Sequence, residues 1–560
     1  MTEADLLIRG GRIVDGTGAA SYVADLEVSH GRIGRIGRLG RGAGRVIDAD
    51  GLVVAPGFID LHTHYDAQLM FEPTASPASW HGVTTVVTGN CGFSLAPSRV
   101  EDRDWLLYLL ARVEGMSPAA LAAGVTFGGG SMGEYLEHLA GGIGVNVVPL
   151  VGHSAIRRLV MGPGASTRSA TVEEIMAMQA VLEQALIEGG FGFSTSQLDV
   201  HADHEGNAVP SNVAEPDELV ALAAVLARHP GTVMEIAPRS SLPGYTDVDR
   251  QLIFDMARVS GAPLNVNMID WFPGFTDGWE VNLAAAEAAN DQGLRILPMF
   301  RANPQDFFFC LADTFIFDDV PSVRDALVLP PGRREAALRD PDRRRTMRDE
   351  LATVRRSVTF DWERVRVGPV ADEARRVDEG RSITALAEER GIHPFDAVLD
   401  IALADNLQTV FRIDRSQGPA HLELLKRLVR HPLLMAGSSD GGAHLQTFCG
   451  ADYPTQMLMN LVPDPLSLEE AVFKLSGQPA AMLALADRGV IRSGAAADLV
   501  LFDPDHLGSG ATYFLDDFPT GASRLVHEPT GYVAVIVGGQ TLLRDGRATG
   551  ELPGQVLVRS

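Results

Sequence analysis

The sequence predicts an α/β protein: a (β/α)8 TIM barrel with a small composite β-sandwich domain built from the two ends of the chain. Three observations predict it. Short apolar runs alternate with helical segments about eight times along the middle of the chain. Both ends read as short strands split by turns. At 560 residues the chain is also too long for one ordinary compact core. The expected division gives residues 1–55 and 490–560 to the sandwich and 56–489 to the barrel.

At the amino end, Asp5 to Ile13 is broken at Gly10-Gly11, Val23 to Val28 alternates, Gly31 to Gly37 follows, and Arg45 to Asp48 closes the set. The far end has the same texture in Ala497 to Asp503, Tyr532 to Gly539 and Gln555 to Val558. Chain termini often lie close together, so these ends can share one sandwich. Between them, strands are expected at Val83 to Val87, Val145 to Val151, Gly190 to Ser194, Thr232 to Ile236, Pro263 to Ile269, Leu294 to Phe300 and Leu433 to Ser438. Helices fall at Glu173 to Glu188, Glu215 to Arg228 and Glu280 to Gln292, the first opened by the capping-box pair Thr171 and Glu174. Residues from about 301 to 391 break the rhythm. They are rich in Arg and Asp, show no strong strand, and read as a mainly helical insertion over the barrel mouth. The runs Arg333-Arg334, Arg343-Arg344-Arg345 and Arg355-Arg356 read as solvated helix faces rather than an anion site.

Hydrophobic residues make up 46% and charged residues 21%, the balance of a soluble globular enzyme. A formal net charge of −25 argues against a nucleic-acid partner, because phosphate binding needs clustered Lys and Arg. Cys91, Cys310 and Cys449 are too few for a disulfide framework and suit a reducing compartment. The first residues carry acids where a signal peptide would carry bases, and no stretch nears the roughly 20 apolar residues of a membrane span. The expectation is a cytoplasmic protein with no membrane attachment and a small-molecule partner, homo-oligomer formation being left open.

The strongest chemical signal is the run Pro56 to His64, which ends His62-Thr63-His64. Alternate side chains of extended backbone share a face, so two imidazoles project together beyond an apolar strand, as a Zn²⁺ or similar site requires. At the C-terminal ends of barrel strands such residues serve catalysis. Cys91 follows the strand Val83 to Val87 in a Gly-rich turn, where a thiolate can ligate a metal; a lone Cys is otherwise an inert small hydrophobe, and Cys310 keeps that reading. Asp440 ends the run Leu433 to Ser438 and can ligate the metal and act as general base, or cap the next segment. His444 is open between substrate contact and local structure. His153 and Arg157 follow another strand end, where His153 can bind substrate, hydrogen-bond a ligand or cap the turn; His201 and His204 lie in a polar loop within reach of the mouth.

The order of these segments resembles the amidohydrolase superfamily and, within it, the N-acyl-D-amino-acid deacylase (D-aminoacylase) family. The likeness spans almost the whole chain. It runs from Ile13 to Gly18 and Pro56 to Asp66, through Gly82 to Val86, Gly89-Asn90-Cys91-Gly92, Gly152-His153 and Gly192 to Thr195, to Ser439-Asp440-Gly441, Asp487 to Ile491 and Gly494 to Val500. His-x-His is shared across the superfamily, whereas the Gly-Asn-Cys-Gly turn is more particular to the D-aminoacylase branch.

The resemblance implies zinc near His62, His64, Cys91 and Asp440, with Asp440 catalytic and His153, Arg157 and His444 at the substrate. The reaction it implies is hydrolysis of the amide of an N-acyl (D-)amino acid or similar small amide. The alternatives are another C–N bond, in a cyclic imide, lactam or small peptide, and a catalytically lapsed ligand-binding barrel. One departure stands out. The family carries two further histidines after the fifth and sixth barrel strands, and this chain has none between His229 and His393. Glu235, Asn265, Asn267 and Asp270 are the polar residues there, and the sequence does not choose among them. The expectation is one Zn²⁺ rather than two, held by His62, His64 and Asp440, with or without Cys91.

Overall fold

The computed structural model describes residues 4–40, 43–271, 275–303, 305–312, 314, 316–354, 356, 358, 361–370, 373–415 and 419–559. Met1 to Glu3, Arg355 and Ser560, which enter the expectations above, lie outside the described residues.

Eight strands form one sheet in sequence order: β1 (Phe58–Asp60), β2 (Val83–Thr88), β3 (Asn146–Gly152), β4 (Gly192–Ser196), β5 (Val233–Ala237), β6 (Leu264–Ile269), β7 (Ile296–Arg301) and β8 (Met435–Gly437). Every neighbouring pair is parallel. Helices cover the outside, so these strands are buried on both faces and read as unbroken apolar or small runs, as β2 does. Closure comes just past the strand ends, where Thr63 bridges Gly441 and the His64 N–H donates to the Gly441 carbonyl at 2.7 Å. The segments that follow β1 and β8 are thereby held side by side.

The two ends of the chain share a nine-stranded sheet with its own apolar core. The amino end supplies Ala4–Ile13, Tyr22–Ser29, Arg32–Gly37, Ala43–Asp48 and Val53–Pro56; the carboxyl end supplies Leu499–Phe502, Tyr532–Val537, Gln540–Arg544 and Arg547–Ala548. They meet where Val53–Pro56 pairs antiparallel with Leu499–Phe502. Parts of the carboxyl end leave this sheet. The hairpin of Tyr513–Phe518 and Ala522–Val526 reaches the barrel, its Leu525 N–H donating to the Leu445 carbonyl at 2.7 Å. Val556 bridges Val147 of β3 rather than adding a terminal-sheet strand.

The insertion between β7 and β8 is larger and less purely helical than its composition suggests. Besides helices such as Pro321–Leu327, Pro341–Thr353 and Pro394–Ala404 it holds a three-stranded antiparallel sheet, with Val410–Ile413 between Phe307–Cys310 and Val365–Val367. A separate core containing Phe309, Phe317, Phe395 and Phe411 fills it. The unit therefore extends to Ile413, beyond the expected limit near 391. Its strands pair at long range, Phe307 with Ile413 and Val365 with Ile413, which no local pattern reveals. Several of its arginines are tied inward: Arg344 to Asp400 at 2.8 Å and Arg334 to the Ala312 carbonyl at 2.6 Å.

Asp498 joins the terminal sheet to the barrel. Its carboxylate accepts from Gly538 N at 2.7 Å and from Asn146 Nδ2, at the start of β3, at 2.9 Å, and lies 3.2 Å from Arg488. Its carbonyl accepts from Gly57 N at 2.9 Å, just before β1. Asp498→Ala strands these donors and a nearly buried Arg488 charge. It is expected to cost about 3–5 kcal/mol, read as a lower urea midpoint with constant slope. An unchanged midpoint would mean that apolar packing alone holds the two units together.

Candidate metal centre

His62 and His64 lie just beyond β1 in extended backbone and turn to the same side, their ring centroids 5.2 Å apart. Thr63, between them, faces away and donates to the Val87 carbonyl at 2.7 Å. Cys91 is presented by a tight turn after β2. Gly89 there has φ +76°, and a Cβ on it would fall 2.3 Å from the Leu150 carbonyl oxygen, so the turn demands glycine. The Cys91 N–H donates to Glu235 Oε2 at 2.8 Å, and its Sγ sits 3.5 Å from His62 Nε2. Ligand atoms of His62, His64 and Cys91 lie within 4.8 Å of one another, all three side chains buried. Asp440, at φ +50° after β8, completes the group, its Oδ1 3.3 Å from His62 Nε2 and 3.7 Å from His64 Nε2.

Behind these four stand three residues that sequence reasoning missed or left undecided. Of the four polar candidates on β5 and β6, the structure brings two to the site. Glu235 of β5 lies 3.8 Å from His62 Nδ1 as well as holding the Cys91 amide, and Asn267 of β6 approaches His62 Nε2 at 3.4 Å. Asn265 instead donates to the Leu297 carbonyl, and Asp270 pairs with Arg301 at 3.1 Å. The third is Glu114, the last residue of the helix Arg103–Glu114, whose Oε1 is 3.1 Å from His64 Nδ1. One signal for it existed: an acid at a helix C-terminus opposes the helix dipole.

The electrostatics call for a cation. Burial keeps His62 neutral and, with the neighbouring His62 ring, His64 still more so, which leaves both as lone-pair donors. Burial pushes the Cys91 thiol up, and Glu235 and Asp440 add to the effect. Burial likewise raises Glu235 to about 8 and Glu114 well above the usual carboxylate range. Asp440 is buried too, which pushes its carboxyl up, but positive charge on His62, His444 or His64 and the guanidinium of Arg301 would pull it down, and the balance leaves it low. Among the described residues, His62 Nδ1, Glu235 Oε1 and Asn267 Oδ1 are buried without a hydrogen-bond partner. A thiol, carboxylates and imidazoles converging in a dry pocket fit a divalent ion of zinc type, whose charge would let the acids ionise together.

A cavity of about 400 Å³ opens onto this cluster. Its wall includes His201, His444, Arg301 and Asn267 with an apolar side made by Phe93, Leu242, Phe275 and Phe448. His201 stacks edge-on to Phe93 and is held neutral by burial, down to about 3, whereas His204 is exposed beside Tyr108. The structure sets His153 and Arg157 apart from this cavity. Both side chains are fully buried against Glu218: His153 Nε2 lies 2.8 Å from its carboxylate, and Arg157 pairs with it and with the Ala165 and Arg168 carbonyls. That network ties the start of the helix His153–Met161 to the helix Pro216–Val225, which is structural work.

Comparison with known proteins agrees with this picture. The amidohydrolase family pattern matches residues 45–543. N-acyl-D-aspartate deacylase of Alcaligenes xylosoxydans xylosoxydans is 30% identical over 568 residues, covering 99% of this chain and 95% of that protein. A solved D-aminoacylase structure, described as having a binuclear metal centre, superposes with a TM-score of 0.68 at 28% identity over 99% of this chain and all of that one. N-acyl-D-glutamate deacylase from Bordetella bronchiseptica, solved with zinc and a phosphonate that mimics the tetrahedral intermediate, gives 0.65 at 26% identity with both chains fully covered. The chain belongs to the amidohydrolase family, in its N-acyl-D-amino-acid deacylase branch.

Proposed function

We propose that this chain is a metal-dependent hydrolase that cleaves the amide of an N-acyl-D-amino acid or a similar small amide, using one zinc ion held by His62, His64, Cys91 and Asp440. The observation that supports this reading is the clustering of His62, His64 and Cys91, whose ligand atoms lie within 4.8 Å of one another, with Asp440 Oδ1 3.3 and 3.7 Å from the two imidazoles on the wall of the same cavity. A lapsed barrel has no reason to keep such a set. One ion is favoured over two because β5 and β6 bring Glu235 and Asn267 instead of imidazoles, and one Glu235 oxygen is already committed to the Cys91 amide. The cysteines are all thiols, which supports a cytoplasmic setting.

A bound divalent ion would supply a Lewis acid that polarises the scissile carbonyl and lowers the pKa of a water. The protein supplies the proton transfers. Asp440, on its turn at the cavity floor, accepts the proton of the attacking water as the new C–O bond forms. It then returns that proton to the leaving nitrogen as the C–N bond breaks, releasing a carboxylic acid and an amine, which become carboxylate and ammonium by proton exchange in solution. His444, which lines the same cavity, contacts the substrate, with Arg301 and His201 beside it, while Phe93, Phe275 and Phe448 exclude water and receive an apolar acyl group or side chain. His153 and Arg157 take no part in binding.

Asp440→Asn is expected to keep its circular dichroism spectrum and to lose about 10²–10⁴-fold in kcat on N-acetyl-D-amino acids. Wild-type rates in that variant, or full turnover after the metal is stripped by chelation, would overturn the assignment. Across a panel of N-acetyl-D-amino acids, their L-enantiomers and cyclic imides, the D-series is expected to give the highest kcat/KM. Turnover confined to the cyclic substrates would move the protein to the alternative C–N hydrolase class.

A further inference from the structure

We infer that Glu114 is a positioning residue for this centre: it takes the Nδ1–H of His64 and so presents the Nε2 lone pair of that ring to the ion. The inference rests on the metal reading above. His64 Nδ1 and Glu114 Oε1 are 3.1 Å apart, with only 4% and 2% of the two side chains exposed. The pair is close but not aligned as a hydrogen bond, and neither atom has any hydrogen-bond partner among the described residues, so a small rotation of the ring or carboxyl makes the contact that both atoms lack. An imidazole that ligates through one nitrogen must carry its proton on the other, and the acceptor facing that second nitrogen selects the tautomer. A carboxyl group offers such an acceptor oxygen whether or not it is protonated.

The placement of Glu114 is costly enough to need a reason. It is buried near Asp66, which adds repulsion to the penalty of burial, and it ends a helix where an acid is disfavoured. Its backbone is committed to the same site. The Glu114 carbonyl accepts from Leu445 N at 3.4 Å, and Gly115 packs against the His444 Cα. One residue thus links the ring that follows β1 to the loop that carries Asp440 and His444. Glu235 stands differently, holding the Cys91 amide and lying 3.8 Å from His62, beyond hydrogen-bond range.

The test uses zinc alone as the probe and the full chain as the receptor, with affinity measured by competition against a chelator. Glu114→Ala is expected to weaken zinc binding 10–100-fold, and Glu114→Gln, which keeps an acceptor oxygen, to stay close to wild type. In zinc-loaded wild-type protein labelled with ¹⁵N-histidine, the His64 ring, identified by its loss in His64→Gln, is expected to carry its proton on Nδ1. Wild-type zinc affinity in Glu114→Ala overturns the positioning role alone, as does a His64 proton found on Nε2. A wild-type chain that takes up no zinc overturns the metal reading and this role with it. Should Glu114→Ala not fold, the wild-type spectrum decides.

Discussion

Everything at the site depends on how the barrel closes. The bond from the His64 amide to the Gly441 carbonyl lies beyond the ends of β1 and β8, in the very segments that carry the chemistry. It fixes the distance between the histidine pair and Asp440, which short strands of three residues each could not do alone. Closing a parallel sheet and assembling a ligand cluster are here one event, so the geometry of the cluster inherits the rigidity of the barrel.

That rigidity concentrates unfavourable charge. Cys91, Glu114, Glu235 and Asp440 crowd around two neutral imidazoles in a buried space, and most of the acids are driven toward their protonated forms. Such an arrangement is expensive in isolation and sensible around a divalent ion, whose attraction for each acid offsets their mutual repulsion and the penalty of burial. The outer carboxylates divide the task of holding ligands: Glu235 anchors the backbone of the cysteine turn and Glu114 faces the second imidazole. The deeper pair of His153 and Arg157 serves the scaffold by the same logic, sharing Glu218 behind the residues that line the cavity.

Much of this was legible in the residues, and the limits are physical. Barrel strands announce themselves because burial on both faces leaves unbroken apolar runs, and His62 and His64 because extended backbone alternates. Asp440 and Cys91 were legible because each ends such a run. Glu114 was not, since its partner lies 50 positions away on another element and only the closed barrel brings them together. Glu235 and Asn267 were seen as candidates but could not be separated from Asn265 and Asp270: Asn265 shares the strand parity of Asn267 two residues on, and the irregular register between Val266 and Ile269, which no sequence pattern shows, alters which side chains reach the mouth. His153 and Arg157 misled for a related reason. A strand end is where catalytic residues sit, but it is also where a helix begins and must be anchored. The sheet in the insertion escaped notice because its strands pair at long range.

The insertion of well over a hundred residues between β7 and β8 has a consequence for how the protein is made. His62, His64 and Cys91 leave the ribosome tens of seconds before Asp440 does. Until then the seven-stranded sheet keeps an open edge, and His62, His64 and Cys91, the proposed ligands, stand without Asp440. The insertion carries its own core and can fold in that interval, shortening the effective loop that the last strand must close. On the proposed ligand set, metal uptake would wait for that last strand, and metallation would report on completed folding: a chain stalled before β8 would hold an ion loosely and exchange it readily.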